Sequence, residues 1–197
     1  NLFSMTRYLK VGNEKWSREI LDQAREELSE GGVIIFPTET VYGLGGDADN
    51  PETLEKIYRL KGREGTKPLA RLIPDLARIR DLIRDEGQLR LLEKYWPGPL
   101  TVICTIPGGG TRGYRLPEHD SLRRLIGESG IEMAATSANR SGEPAITEGK
   151  EAVRQFSGRV DLIIDEGEVS GRASTVLDLT ARPERILRPG PLTREEI

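Results

Sequence analysis

The stretch Gly32-Val33-Ile34-Ile35-Phe36-Pro37-Thr38-Glu39-Thr40-Val41-Tyr42-Gly43-Leu44-Gly45-Gly46 decides how this chain folds and where its chemistry lies. Val33 to Phe36 is an apolar run rich in β-branched residues that reads as a buried strand, and Pro37 stops it. Hydroxyls, one carboxylate and three glycines follow with no amphipathic period, so residues 37–46 read as a polar loop with no core of its own. A strand that delivers Thr38, Glu39, Thr40 and Tyr42 into a glycine-rich turn displays polar side chains beside exposed backbone N–H groups. Such loops hold ligands on rigid scaffolds. An ordinary strand-to-helix connection is the alternative, and the segment alone leaves both readings open.

Helical and extended patterns alternate on either side. Tyr8 to Val11 reads as a short first strand. Residues 16–30 are helical, with Trp16, Ile20, Leu21, Ala24 and Leu28 at helix spacing and Gly31-Gly32 as the stop. Asn50-Pro51-Glu52 opens a second helix with a capping residue and a proline at its first position, running to about Leu60. Leu69 to Ile73 reads as a strand ended by Pro74, and two helices follow at 75–84 and 87–95. Trp96-Pro97-Gly98-Pro99 is a rigid turn into a strand at 100–106. Gly108-Gly109-Gly110 reads as a loop inside one domain, because composition does not change across it. Then come a strand near 113–116, a helix at 119–128, a strand at 131–135, a helix at 148–156, and strands near 161–165, 174–179 and 184–188. This interleaving predicts an α/β domain around one twisted sheet, and the close succession of the last strands predicts a mixed sheet. Residues 1–197 are expected to form one domain, with 1–5 a remnant or irregular start ahead of the body.

The 197 residues are long enough to bury a sizeable core. Apolar residues make up 36%, charged residues 31%, and the formal net charge is -3, with a pI near 5.5. That balance argues against global electrostatic capture of nucleic acid and leaves a local basic groove open. Cys104, the single cysteine, lies in the apolar run Leu100 to Ile106, which excludes an intrachain disulfide and reads as a buried, inert thiol. His119 is the single histidine, so a Ser-His or Cys-His catalytic pair has little support and a histidine-built metal cage is excluded. No apolar run is long enough to span a bilayer and no signal peptide is evident, so a cytoplasmic location without membrane contact is expected.

Three further segments can carry chemistry. Lys61-Gly62-Arg63 and Lys67-Pro68 bring three cations within seven residues of a glycine-rich turn, which suits a polyphosphate as well as a helix C-terminus. The pattern is not a P-loop, since the Gly-x4-Gly-Lys-Ser/Thr arrangement is absent. Ala134-Ala135-Thr136-Ser137-Ala138-Asn139-Arg140-Ser141-Gly142 ends an apolar strand in hydroxyls, an amide and a glycine, and Ser137 and Asn139 point the same way if extended. A capped turn explains this segment equally well. Arg115, Ser174-Thr175 and Arg188-Pro189-Gly190 place polar or cationic groups at strand ends, where α/β sheets bind ligands.

The ordered set PTETVYGLG (37–45), KGR with KPL (61–69), WPGPLT (96–101), YRLP (114–117), TSANRSG (136–142), STVLDLT (174–180) and ILRPG (186–190) resembles the YrdC/TsaC family of threonylcarbamoyl-AMP synthases, from about residue 14 to Gly190. The resemblance implies a YrdC-like twisted open sheet with flanking helices around a concave, positively lined cavity. It implies joining of L-threonine, bicarbonate and ATP, with Mg²⁺ accompanying ATP, into threonylcarbamoyl-adenylate and pyrophosphate. Downstream tRNA threonylcarbamoyltransferase machinery would then use the product for the t6A modification, and weak direct RNA binding is a further implied contact. By the family's pattern Thr40, Arg115, Ser174 and the backbone at Ala135 hold threonine. Arg63, Lys67, Thr111, Ser137, Asn139, Arg188 and the backbone at Ala145 contact ATP, and Lys61 with Arg63 carries the catalytic charge.

The sequence departs from that pattern in two places. Leu72 stands where many relatives carry a histidine beside threonine, and Glu64 follows the Lys-x-Arg motif where several have proline. Longer relatives add a C-terminal domain, so the single-domain form is expected. Two other readings stay open from sequence: an RNA-binding module without adenylation activity, and a paralogue, YciO-like or related to hydrogenase maturation, with a different acceptor.

Overall fold

Neighbouring residues of the run 33–36 enter opposite cores. Val33 and Ile35 pack into one, Ile34 and Phe36 into the other, and all four are fully buried. A strand covered on both faces needs a continuous apolar sequence, which is what this run supplies. The computed structural model describes residues 5–62 and 68–197. The strands are β1 (Arg7–Lys10), β2 (Ile34–Phe36), β3 (Gly43–Asp47), β4 (Ala70–Leu72), β5 (Leu100–Thr105), β6 (Thr111–Arg115), β7 (Met133–Ser137), β8 (Leu162–Asp165), β9 (Thr175–Asp178) and β10 (Arg185–Arg188).

Together they form one open sheet in the order β1-β8-β2-β3-β7-β4-β6-β5-β9-β10. The pairs β1/β8, β8/β2, β4/β6 and β5/β9 are parallel. The remaining neighbours are antiparallel. The expected mixed α/β sheet is therefore present.

Five α-helices flank it among the described residues: α1 (Arg18–Ser29), α2 (Pro51–Lys61), α3 (Glu86–Tyr95), α4 (Asp120–Ser129) and α5 (Gly149–Phe156). Ser17 caps α1 by accepting from the Ile20 amide, and Asn50 caps α2 by accepting from Glu52 and Thr53 with Pro51 at the first position. Leu21 and Leu28 of α1 and Leu122 and Leu125 of α4 close the core around Ile34 and Phe36. Ile57 of α2 and Phe156 of α5 close the core around Ile35 and Ile163. Each such side chain contributes about 1.5–3 kcal/mol on burial. A third core under β5 and β9 holds Leu92, Trp96, Val102, Leu177 and Cys104. Burial pushes the Cys104 thiol up to about 11, so it is an inert core residue at neutral pH.

The structure departs from the sequence expectations at three elements. The largest concerns residues 43–47, expected as loop, which form β3 between β2 and β7. The supposed coreless loop also buries Tyr42 and Leu44 completely. Glycine has poor strand propensity, which hid the strand; close packing explains why it is there. A Cβ on Gly43 would meet Phe36 Cε2 at 2.4 Å, one on Gly45 the Ala134 carbonyl oxygen at 2.5 Å, and one on Gly46 Thr53 Cγ2 at 2.5 Å. The glycines thus admit a neighbouring ring, strand and helix. Gly45 and Gly46 are used in packing the fold; of the three, Gly43 alone lines the cleft described below. Gly45→Ala is expected to destabilise the fold by about 1–3 kcal/mol, read as a lower chemical-denaturation midpoint.

The expected helix at 75–84 is instead two 3₁₀ turns, Leu76–Arg78 and Arg80–Leu82. Asp75 makes no side-chain cap, and so short an uncapped segment does not sustain an α-helix. The expected strand at 113–116 starts earlier, at Thr111 opposite Thr105. Gly108, Gly109 and Gly110, all at positive φ, make the hairpin turn between β5 and β6.

Candidate active site

Strand ends, a helix end and loops from six parts of the sequence, the segment 68–72 around β4 among them, surround a cleft of about 500 Å³. The opening stretch supplies Phe36, Thr38, Tyr42 and Gly43, α2 supplies Lys61, and β7 with the turn after it supplies Ala135, Ser137 and Asn139. Thr101 and Arg115 come from β5 and β6, and Ser174 and Arg188 from the β9–β10 hairpin.

Lys61 is the last residue of α2, and Gly62 at φ 71° turns the chain away from the helix. Its side chain is buried against the turn after β7. Nζ donates to the Ser137 carbonyl oxygen at 2.8 Å and to Asn139 Oδ1 at 2.6 Å, and lies 3.4 Å from Ser137 Oγ. Ser137 Oγ also donates to Asn139 Oδ1 at 2.6 Å. The Asn139 amide nitrogen is spent on the Arg140 and Glu143 carbonyl oxygens at 2.9 and 2.7 Å, which fixes which end of the amide faces Lys61. The ammonium is therefore held rigidly at the cleft wall.

Arg115, also on the cleft wall, is only 7% exposed. Nε donates to the Gly98 carbonyl oxygen at 3.3 Å, Nη1 to Thr40 Oγ1 at 3.0 Å, and Nη2 to Glu39 Oε1. Burial lowers the guanidinium below the ordinary arginine value, and Glu39 opposes that shift. Thr40 is itself braced, its Oγ1 3.0 Å from Thr38 Oγ1, which accepts from the Thr40 and Val41 amides and donates to the Val41 carbonyl. Arg188 donates through Nε and Nη2 to the Ser174 carbonyl at 3.1 and 2.8 Å, and through Nη2 to Ser174 Oγ at 3.1 Å. Ser174 Oγ is 2.8 Å from Thr101 Oγ1. Desolvation first, and repulsion from Arg115 second, lower the Arg188 guanidinium too. A desolvated cation lowered further by a like charge at the same cavity favours an anion beside it.

Of the residues singled out from sequence, Lys61, Arg115, Ala135, Ser137, Asn139, Ser174 and Arg188 line the cleft. Thr40 stands behind Arg115 and holds it. Thr111 and Ala145 do not line it. Thr111 is exposed at the far end of the β5–β6 hairpin, on the same strand face as Gly113 and Arg115. Ala145 is half-buried beside Ile146, whose carbonyl accepts from the Tyr42 amide. Arg63 and Lys67 lie outside the described residues. Leu72 lines the cleft as a buried apolar residue. His119 is used elsewhere, its Nδ1 capping α4 through the Leu122 amide and its Nε2 2.6 Å from Glu166 Oε2.

Glu39 and Thr101, which fix Arg115 and Ser174, received no individual role from the sequence. Glu39 is the single carboxylate of the opening stretch and Thr101 closes the WPGPLT segment, and membership of those motifs is their one signal.

The Sua5/YciO/YrdC family model, described as telomere recombination, matches residues 26–190. The chain belongs to this family. A relative in Bacillus subtilis (strain 168) named threonylcarbamoyl-AMP synthase is 39% identical over 188 residues, covering 89% of this chain and 54% of that protein. One of the same name in Pyrococcus abyssi is 38% identical over 196 residues, covering 93% and 57%. The chain thus spans about half the length of these relatives. The crystal structure of P. abyssi Sua5 complexed with L-threonine matches with a TM-score of 0.89 at 35% identity, over 97% of this chain and 59% of that one. Escherichia coli YciO matches with a TM-score of 0.88 at 24% identity, over 98% and 99% of the two chains, a likeness of fold alone. The open mixed sheet of this Sua5/YciO/YrdC chain is the architecture those structures share.

Proposed function

We propose that this member of the Sua5/YciO/YrdC family is a threonylcarbamoyl-AMP synthase, condensing L-threonine, bicarbonate and MgATP to threonylcarbamoyl-adenylate and pyrophosphate. One observation carries the reading: a single cleft is lined both by a buried arginine, braced by Glu39 and Thr40, and by a buried lysine held by Ser137 and Asn139. The first group suits the carboxylate of an amino acid, and the second, with Arg188, suits a polyphosphate. A relative whose structure was solved with L-threonine supports the choice of amino acid.

The proposed chemistry needs no protein nucleophile. The threonine amine attacks the bicarbonate carbon and a C–O bond breaks with loss of water, giving a carbamate, one of whose oxygens attacks the α-phosphate. The bond from the α-phosphorus to the bridging oxygen breaks and pyrophosphate leaves. The protein's part is to position the two ends and to stabilise charge on the phosphates. Lys61 is proposed to stabilise that charge together with Arg63, and Arg188 and Lys67 to hold the phosphates. Ser137 and Asn139 orient the lysine, and Arg115 with Ser174 holds the amino acid. Mg²⁺ is proposed to enter with ATP as part of the substrate. The product would pass to an enzyme that transfers the threonylcarbamoyl group to tRNA in the cytoplasm.

The test is release of pyrophosphate from MgATP and bicarbonate with each of several amino acids. Release that requires threonine, with serine and valine at least tenfold poorer, is the expected result. Release that ignores the amino acid, or none at all, contradicts the proposal. A different preferred amino acid assigns the chain to a paralogue.

A further inference from the structure

We infer that Glu39 is a positioning residue that aims Arg115 at the amino-acid carboxylate, an inference that rests on the function proposed above. A guanidinium carries five N–H donors. Three of those on Arg115 are spent on the Gly98 carbonyl, Thr40 Oγ1 and Glu39 Oε1, leaving one on each terminal nitrogen. A planar fork with one donor per Nη is the arrangement that grips both oxygens of a carboxylate. Whether those two donors face the cleft depends on what holds the other three.

Of the three anchors only Glu39 is charged, and it is tied down in turn. Its Oε2 accepts from the Glu118 amide at 2.8 Å, in the loop between β6 and α4. One carboxylate therefore spans from the segment after β2 to the segment after β6 and sets the rotation of the guanidinium between them. Glu39 is absent from the cleft lining and reaches the cleft through its bond to Arg115. It also opposes the loss of Arg115 charge that burial favours.

The Glu39→Ala variant is expected to raise the threonine KM at least tenfold, leaving the ATP KM and kcat within about threefold. Glu39→Gln keeps one acceptor for Arg115 but turns an N–H toward either Arg115 or the Glu118 amide, so an intermediate threonine KM is expected. Nitrogen-15 NMR of the Arg115 guanidinium supplies a readout independent of turnover: restrained rotation about the Cζ–Nη bonds in the parent protein, and averaged Nη signals in Glu39→Ala. If Glu39→Ala does not fold, Glu39→Gln decides by the same two measurements. Threonine and ATP constants that worsen together, or a threonine KM unchanged in a folded variant, overturn the inference. If the parent protein neither binds nor uses threonine, the functional reading fails separately, and the guanidinium signals then support or overturn the role of Glu39.

Discussion

Replacing Arg115 by alanine is expected to abolish measurable threonine binding while leaving ATP binding within a few-fold. The side chain is buried and forked, and its loss removes two charge-assisted hydrogen bonds to a carboxylate. Such bonds contribute about 1.5–3 kcal/mol each, so affinity should fall at least 100-fold. The same substitution strands Glu39, whose side chain is 19% exposed, without its cation. Removing one member of a buried pair costs about 3–5 kcal/mol, so the variant should also unfold earlier. The two effects separate in Arg115→Ala/Glu39→Gln, where the stranded charge is gone: stability should partly return and threonine affinity should not. Titration calorimetry and thermal melts on the single and double variants read both. Threonine affinity that returns with stability would show that Arg115 only holds the fold.

Lys61→Met is expected to lower kcat by about 10²–10³, the range found when one preorganised donor to developing charge is removed. Methionine keeps the unbranched stem and its packing at the end of α2 while deleting the ammonium. The Ser137 carbonyl and Asn139 Oδ1 then lose a donor, a stability cost of about 1–3 kcal/mol for each group left unsatisfied. Threonine affinity should stay within a few-fold, because its proposed anchors, Arg115 and Ser174, are held by Glu39, Thr40 and Thr101. Rapid-quench turnover with calorimetric threonine binding distinguishes this from general collapse of the site, in which both would fall together.

Sequence reveals the fold wherever hydrophobic period and caps do the work. The helix after Asn50-Pro51 and the buried strand at 33–36 announce themselves, because an N-cap and a two-sided apolar run have local causes. β3 does not. Its glycines look like a loop until Phe36, Ala134 and Thr53 are seen pressed against them, and those partners lie from seven residues to about ninety residues away in the chain. The cleft was legible in the same uneven way. Lys61, Ser137, Asn139, Arg115, Ser174 and Arg188 stand out because polar groups gather at strand ends. Glu39 and Thr101 act through contacts with residues more than seventy positions distant, which no spacing along the chain encodes. The pairing of Glu39 with both Arg115 and the Glu118 amide needed coordinates.

The central claim is that one cleft joins an amino acid, a one-carbon unit and a nucleotide. Incubating the protein with MgATP, threonine and carbon-13 bicarbonate, followed by mass spectrometry of the nucleotides, tests it directly. The expected product is an adenylate carrying threonine and one labelled carbonyl carbon, formed with an equal amount of pyrophosphate and absent when threonine is omitted. Unlabelled AMP or ADP as the only nucleotide product under those conditions would contradict it.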